Sequence, residues 1–168
     1  MTQQNIERLF AQYTDTVYRV CRTYLGSTAD SEDAVQEVFL RLIRKSPVFT
    51  TESDERGWLI VTACNYCKSL LRWKKRHPSA AGTEAAAEPI IRDEYPSELL
   101  ELIMSLPDHC KQVVYMHCCE GYSLADIARL CGLRQSTVRV RWSRRSGWDS
   151  SKQTRPTMCL FLVYSVRR

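Results

Sequence analysis

No stretch of this 168-residue chain approaches the ~20 consecutive apolar residues needed to cross a bilayer; the most apolar run, Met158 to Val163, is far too short. The N-terminus has no basic, apolar and small-residue succession, because Met1 to Glu7 is polar. No secretory segment and no membrane insertion are therefore expected, and a cytoplasmic location is. Glycine-rich phosphate loops and nucleophile elbows are missing as well, so no catalytic residues and no enzyme activity are expected. Neither strand-like alternation nor an internal repeat competes with a helical reading.

Cysteine is not scarce, at eight residues, but its spacing lacks what a metal centre or a disulfide framework needs. Cys64 and Cys67 form a Cys-x-x-Cys pair inside an apolar helical pattern, with no turn between them and no second such pair. His109-Cys110 and His117-Cys118-Cys119 make a thiol and imidazole cluster of equally poor spacing. Reduced, packed thiols are expected, with no metal and no cofactor.

What the chain does have is unevenly distributed charge. Its 24 Lys+Arg against 19 Asp+Glu give a net +5. By segment, residues 46–76 carry +3, residues 77–101 carry −5 and residues 134–168 carry +8. Two basic zones thus flank an acidic middle, the layout of a chain that touches a polyanion at two separated places.

Apolar residues recur at helical spacing from Ile6 to Tyr24, through Leu9, Phe10, Tyr13, Val17 and Val20. Gly26 breaks this helix. The polar run after it offers caps for a second, whose inward stripe is Val35, Val38, Phe39, Leu42 and Ile43, with Pro47 at its end. Asp54 to Arg76 is a third helical stretch, containing Trp58 and Trp73; periodicity alone leaves open whether it is continuous. His77 to Pro96 holds prolines, an alanine patch and most of the acidic excess, and is expected to be a linker. Beyond it, Leu99, Leu100, Leu102, Ile103 and Leu106 form a stripe stopped by Pro107, and a helix through Cys110, Val113, Val114 and His117 runs toward Gly121.

The segment from Ser123 to about Arg145 has the grammar of a helix-turn-helix. Ser123 and Asp126 have the spacing of a capping box, with Asp in the place of the usual Glu or Gln. Ala128 is the small residue that lets two helices cross closely, and Gly132 supplies a left-handed turn. The helix that follows buries Val138 and Trp142 and carries arginines. In such a motif the second helix lies in the major groove, so Arg134, Gln135, Ser136, Thr137, Arg139 and Arg141 are the DNA-reading candidates. A stand-alone DNA-binding regulator would also fit this half of the chain.

The string Asp33-Ala34-Val35-Gln36-Glu37-Val38-Phe39, then Gly57-Trp58-Leu59 leading to Ala63 and Asn65, resembles region 2 of bacterial sigma factors. Leu106-Pro107, Glu120-Gly121-Tyr122-Ser123, Asp126-Ile127-Ala128 and Thr137-Val138-Arg139 resemble region 4. The two in this order, with only a short linker between, resemble the extracytoplasmic-function (ECF) group. The resemblance implies an all-α fold of two small helical domains, a region 2 bundle and a region 4 helix-turn-helix, joined by a flexible linker. Implied boundaries are 1–76, 77–96 and 97–146, with an atypical tail at 147–168.

It further implies a non-enzymatic specificity subunit that brings core RNA polymerase to promoters and aids melting. The polymerase-binding positions would be Asp33, Gln36, Glu37, Leu40 and Arg41. Trp58, Asn65, Arg72, Lys74, Lys75 and Arg76 would meet the minus-ten DNA, where stacking takes up an unstacked base, a polar pocket reads a flipped one, and cations hold the backbone. The Arg134 to Arg141 candidates would read the minus-thirty-five element. A cognate anti-sigma protein is implied as well.

One departure stands out. Past Trp142 the amphipathic period is lost, which an altered reading frame, ordinary divergence or an accessory tail would each produce. An amphipathic, leucine-spaced helix in another frame of the coding DNA after Arg141 would identify the first.

Overall fold

The computed structural model describes residues 1–77 and 103–143, and the chain divides into two compact units, each carrying one of these stretches. Both are helical, and no strand occurs among the described residues. The expected linker beyond His77, the Leu99, Leu100 and Leu102 part of its stripe, and the tail with its frame question lie outside the described residues.

Three helices build the first unit: α1 (Gln3–Leu25), α2 (Thr28–Lys45) and α3 (Glu52–Arg76). Their ends follow from the cap residues. Thr2, Ser27 and Thr51 each accept a backbone N–H three residues on, at 3.4, 3.3 and 3.1 Å. Gly26 closes α1 at a φ of 69°, and its N–H bonds to the Arg22 carbonyl. The buried Arg22 guanidinium donates to the Gly26 carbonyl, satisfying the same turn from the side-chain direction. α3 is continuous over 25 residues, which answers the question periodicity left open. Its acidic first turn (Glu52, Asp54, Glu55) and basic last turn (Lys74, Lys75, Arg76) both complement the helix dipole.

The core consists of Leu9, Tyr13, Val17 and Val20 from α1, Ala34, Val38 and Leu42 from α2, and Leu59, Ile60 and Ala63 from α3. Two expected core positions are corrected. Phe10 is 48% exposed and Ile43 45% exposed, because the neighbouring helices cover a narrower arc than the apolar stripe spans. Phe10 lies against the buried Phe39 ring instead, centroids 4.7 Å apart. At the other seam Arg8 forks onto Glu55, with Nη2–Oε1 at 2.6 Å and Nη1–Oε2 at 3.1 Å, tying α1 to α3.

In the second unit, residues 103–105 are helical and bury Ile103, with Leu106 buried just before Pro107. Then come α4 (Asp108–Val114), α5 (Leu124–Cys131) and α6 (Gln135–Ser143). The helix expected to run on toward Gly121 does not stay α: Tyr115–Cys119 is a π-helical turn. The Tyr122 N–H closes it on the Met116 carbonyl at 3.0 Å, and Gly121 takes a φ of 73°.

The turn grammar is present as expected. Ser123 Oγ accepts the Asp126 N–H at 3.1 Å and donates to Asp126 Oδ2 at 2.6 Å. Gly132, at a φ of 62°, lets the Leu133 N–H reach the Ala128 carbonyl at 2.9 Å. Ala128 and Val138 are both buried in this second unit.

Candidate nucleic-acid and partner interfaces

On α2, Asp33, Gln36, Glu37, Leu40 and Arg41 are three, one, three and one residues apart, which puts them on one face of a helix. Asp33, Gln36 and Leu40 are exposed, Leu40 at 45%. Glu37 and Arg41 are half-buried and joined, with Arg41 Nε 2.8 Å from Glu37 Oε1; Arg44 Nη1 lies 3.7 Å from the same oxygen. The Arg41 guanidinium also sits 4.8 Å over the Tyr66 ring of α3. Arg41 is thus a strut between helices that fixes the direction of the Glu37 carboxylate. Burial raises the Tyr66 hydroxyl above its ordinary pKa, with Glu37 adding to the rise and Arg41 opposing it.

On α3, seven residues turn the helix through about 700°, so Trp58, Asn65, Arg72 and Arg76 share a stripe within about 40°. Trp58 is half-buried with its ring edge-on to Phe49 at 6.1 Å, while Asn65, Arg72 and Arg76 are exposed. The guanidinium stems of Arg72 and Arg76 bond their own helix backbone, Nε to the Lys68 and Arg72 carbonyls at 3.1 and 3.3 Å. Lys75 is exposed on the flank.

Lys74 stands apart from the other cations. It lies on the opposite side of the helix, with Nζ 2.6 Å from Asp30 Oδ2 at the start of α2. A run of cations in the sequence gives no sign of this partner, 44 residues earlier.

Arg134 is exposed just before α6; on α6, Gln135, Ser136 and Arg139 are exposed, Thr137 and Arg141 half-buried, and Val138 fully buried. The Trp142 ring meets His117 edge-on at 4.5 Å, and His117 Nδ1 pairs with the Tyr122 carbonyl at 2.7 Å. The π turn thereby anchors the last turn of the arginine-bearing helix. A concavity of about 460 Å³ runs along this helix, lined by Ser136, Thr137, Val140, Arg141 and His109. His109 comes from α4, so no spacing within the motif could have pointed to it.

The cysteines pack. Cys21, Cys64 and Cys67 are wholly buried in the first unit. The hydrogen bond with Cys67, then burial, pushes the Cys21 thiol far up from its ordinary pKa, which keeps it protonated and unreactive. Among the described residues no group of three or more His, Cys, Asp or Glu side chains is arranged to hold a metal ion. Nor is any described helix long and apolar enough to cross a membrane.

Comparison with known proteins agrees with this arrangement. The family model for sigma-70 region 2 matches residues 9–77, and that for sigma-70 region 4 matches residues 97–144. Together they cover most of the chain in the order of a polymerase specificity subunit. The ECF RNA polymerase sigma factor SigM of Mycobacterium tuberculosis is 28% identical over 140 residues, covering 82% of this chain and 71% of SigM. The RNA polymerase sigma factor CarQ of Myxococcus xanthus is 29% identical over 149 residues, covering 84% and 85%. A solved structure, the sigma factor RpoE in complex with the anti-sigma factor NepR from Bartonella quintana, shares the fold with a TM-score of 0.69. It covers 98% of this chain and 99% of RpoE at 18% identity, a likeness of fold.

The chain belongs to the extracytoplasmic-function sigma factors of bacterial RNA polymerase. It is a promoter-specificity subunit for transcription initiation, and the stand-alone regulator is not favoured. Sigma factors are in general non-catalytic transcription factors.

Proposed function

We propose that the first unit divides its work between two helices. The outer face of α2, through Asp33, Gln36, Glu37 and Leu40 with Arg41 as positioning strut, docks on core polymerase. The stripe of Trp58, Asn65, Arg72 and Arg76 on α3, flanked by Lys75, receives the minus-ten DNA as it separates. Lys74 serves the packing of α3 on α2, not the DNA backbone. The Arg134 to Arg141 helix reads the minus-thirty-five element, with His109 at the edge of the same concavity. Functional boundaries at 1–76, 77–96 and 97–146 follow from this division, with 147–168 outside it.

The observation that supports the reading is the separation of faces: exposed Asp33, Gln36 and Leu40 beside the Glu37–Arg41 pair on α2, and exposed Arg72 and Arg76 on α3 with no acidic partner among the described residues. This chain contributes binding energy while the polymerase performs the nucleotidyl chemistry, and it does so in the cytoplasm where both work. A dedicated anti-sigma protein covering the same faces is part of the proposal, supported by the RpoE and NepR complex.

Reconstitution with core polymerase tests it. The combined variant Asp33→Ala, Gln36→Ala, Glu37→Ala should lose core binding and initiation yet keep its native helix content. Asn65→Ala should keep core binding and lose open-complex formation. Equal core affinity in the triple variant and the unaltered chain would remove α2 from the interface.

A further inference from the structure

At the end of α3 an indole is left in water. Trp73 is 43% exposed, although an aromatic residue at helical spacing ordinarily turns inward. The His77 ring stacks on it, centroids 4.9 Å apart and planes 25° from parallel. His77 Nδ1 pairs with the Trp73 carbonyl at 3.0 Å, and its backbone N–H bonds the same oxygen at 3.0 Å, so the backing ring is held in place.

Two cations flank this platform: Arg72 and Arg76 are exposed, and no acidic group pairs with either among the described residues. Helical geometry puts Asn65, Ser69 and Trp73 at successive steps of four residues on the outward side, with Trp73 about 12 Å along the axis from Asn65.

We infer that Trp73, backed by His77, is a stacking site for an unpaired nucleobase of single-stranded DNA, held there by the phosphate grip of Arg72 and Arg76. The inference rests on the sigma-factor reading of α3 and adds to it a second base position, beyond Asn65 toward the end of the helix. The occupant follows from the chemistry. A flat, exposed ring flanked by two cations suits a planar base on a polyanionic backbone, and stacking is indifferent to base identity. An acidic peptide would match the charge but not the parallel ring.

The test uses the full chain bound to core polymerase and a fluorescent forked promoter oligonucleotide whose minus-ten strand is unpaired. W73A should bind the fork about 5- to 150-fold more weakly, the range of one lost base–aromatic stack. W73F, which keeps a ring, should retain most of the affinity, and W73L, which keeps apolar bulk without a ring, should not. Replacing the unpaired nucleotides one at a time with abasic sites should expose one position whose cost in the unaltered protein disappears in W73A.

W73L binding as well as the unaltered chain, or an abasic profile identical in W73A, would overturn the stacking site while leaving the sigma reading intact. Failure of the unaltered chain to bind the fork with polymerase would overturn both. Far-UV circular dichroism on each variant separates loss of the ring from loss of the helix end.

Discussion

The pairing of Lys74 with Asp30 makes a prediction that its place in a cationic run would reverse. Each phosphate contact contributes about 0.7 to the salt slope of binding for single strands and about 0.9 for duplex. Between about 50 and 200 mM salt, losing one such contact reduces the salt-induced loss of affinity by about threefold. Arg76, exposed and with no carboxylate partner among the described residues, should show this when replaced by alanine.

Lys74→Ala should leave the slope alone, since its Nζ is held 2.6 Å from Asp30 with side chains 30% and 32% exposed. Its cost should appear in stability, at roughly the 0.2–1 kcal/mol of a partly exposed pair. Asp30→Asn then releases the ammonium and should steepen the slope, and the double variant Asp30→Asn, Lys74→Ala should restore it. The assay is anisotropy of the forked promoter with the reconstituted polymerase complex across that salt range. If Lys74→Ala flattens the slope as much as Arg76→Ala, the ion pair opens on DNA and the assignment of Lys74 to packing is wrong.

Other consequences are as direct. Gly132→Ala should cost about 1–2 kcal/mol, through the left-handed φ of 62° alone, since nothing among the described residues beyond its chain neighbours lies within 4 Å of the added Cβ. Gly132→Asn should cost less and Gly132→Val more in urea denaturation, and equal costs for all three would contradict a purely conformational origin. Tyr13 and Tyr66 both titrate above the ordinary tyrosine range, chiefly through burial. The folded chain therefore holds these protons more tightly than the unfolded one, so stability is unaffected below pH ~10 and falls as pH rises past it, which ultraviolet titration with parallel unfolding would follow. With iodoacetamide at neutral pH, Cys131, half-buried on α5, should alkylate before Cys21, Cys64 and Cys67, whose protection should vanish in denaturant.

What could be read along the chain were the local instructions. Ser27, Ser123 with Asp126, Gly26, Gly132 and Pro107 act within three or four residues of themselves, and each marks a helix end where it was expected. What could not be read depends on neighbours remote in sequence. Periodicity identifies an apolar face but not the arc that other helices will cover, so Phe10 and Ile43 looked internal and are not. The π turn at Tyr115–Cys119 leaves the apolar spacing almost unchanged, yet it brings His117 against Trp142.

The same distinction governs the candidate interfaces. Resemblance supplies which residue types occupy the positions, and tertiary contact decides which of them are available. Arg41 is occupied in aiming Glu37 and covering Tyr66, Lys74 in holding Asp30, and Arg72 and Arg76 only in bonds to their own helix. Counting cations would treat the four alike. Since an unpartnered cation can neutralise a phosphate without first breaking an ion pair, the DNA contact should be narrower than the basic run. It should be centred on the outward stripe that Asn65 and Arg76 share.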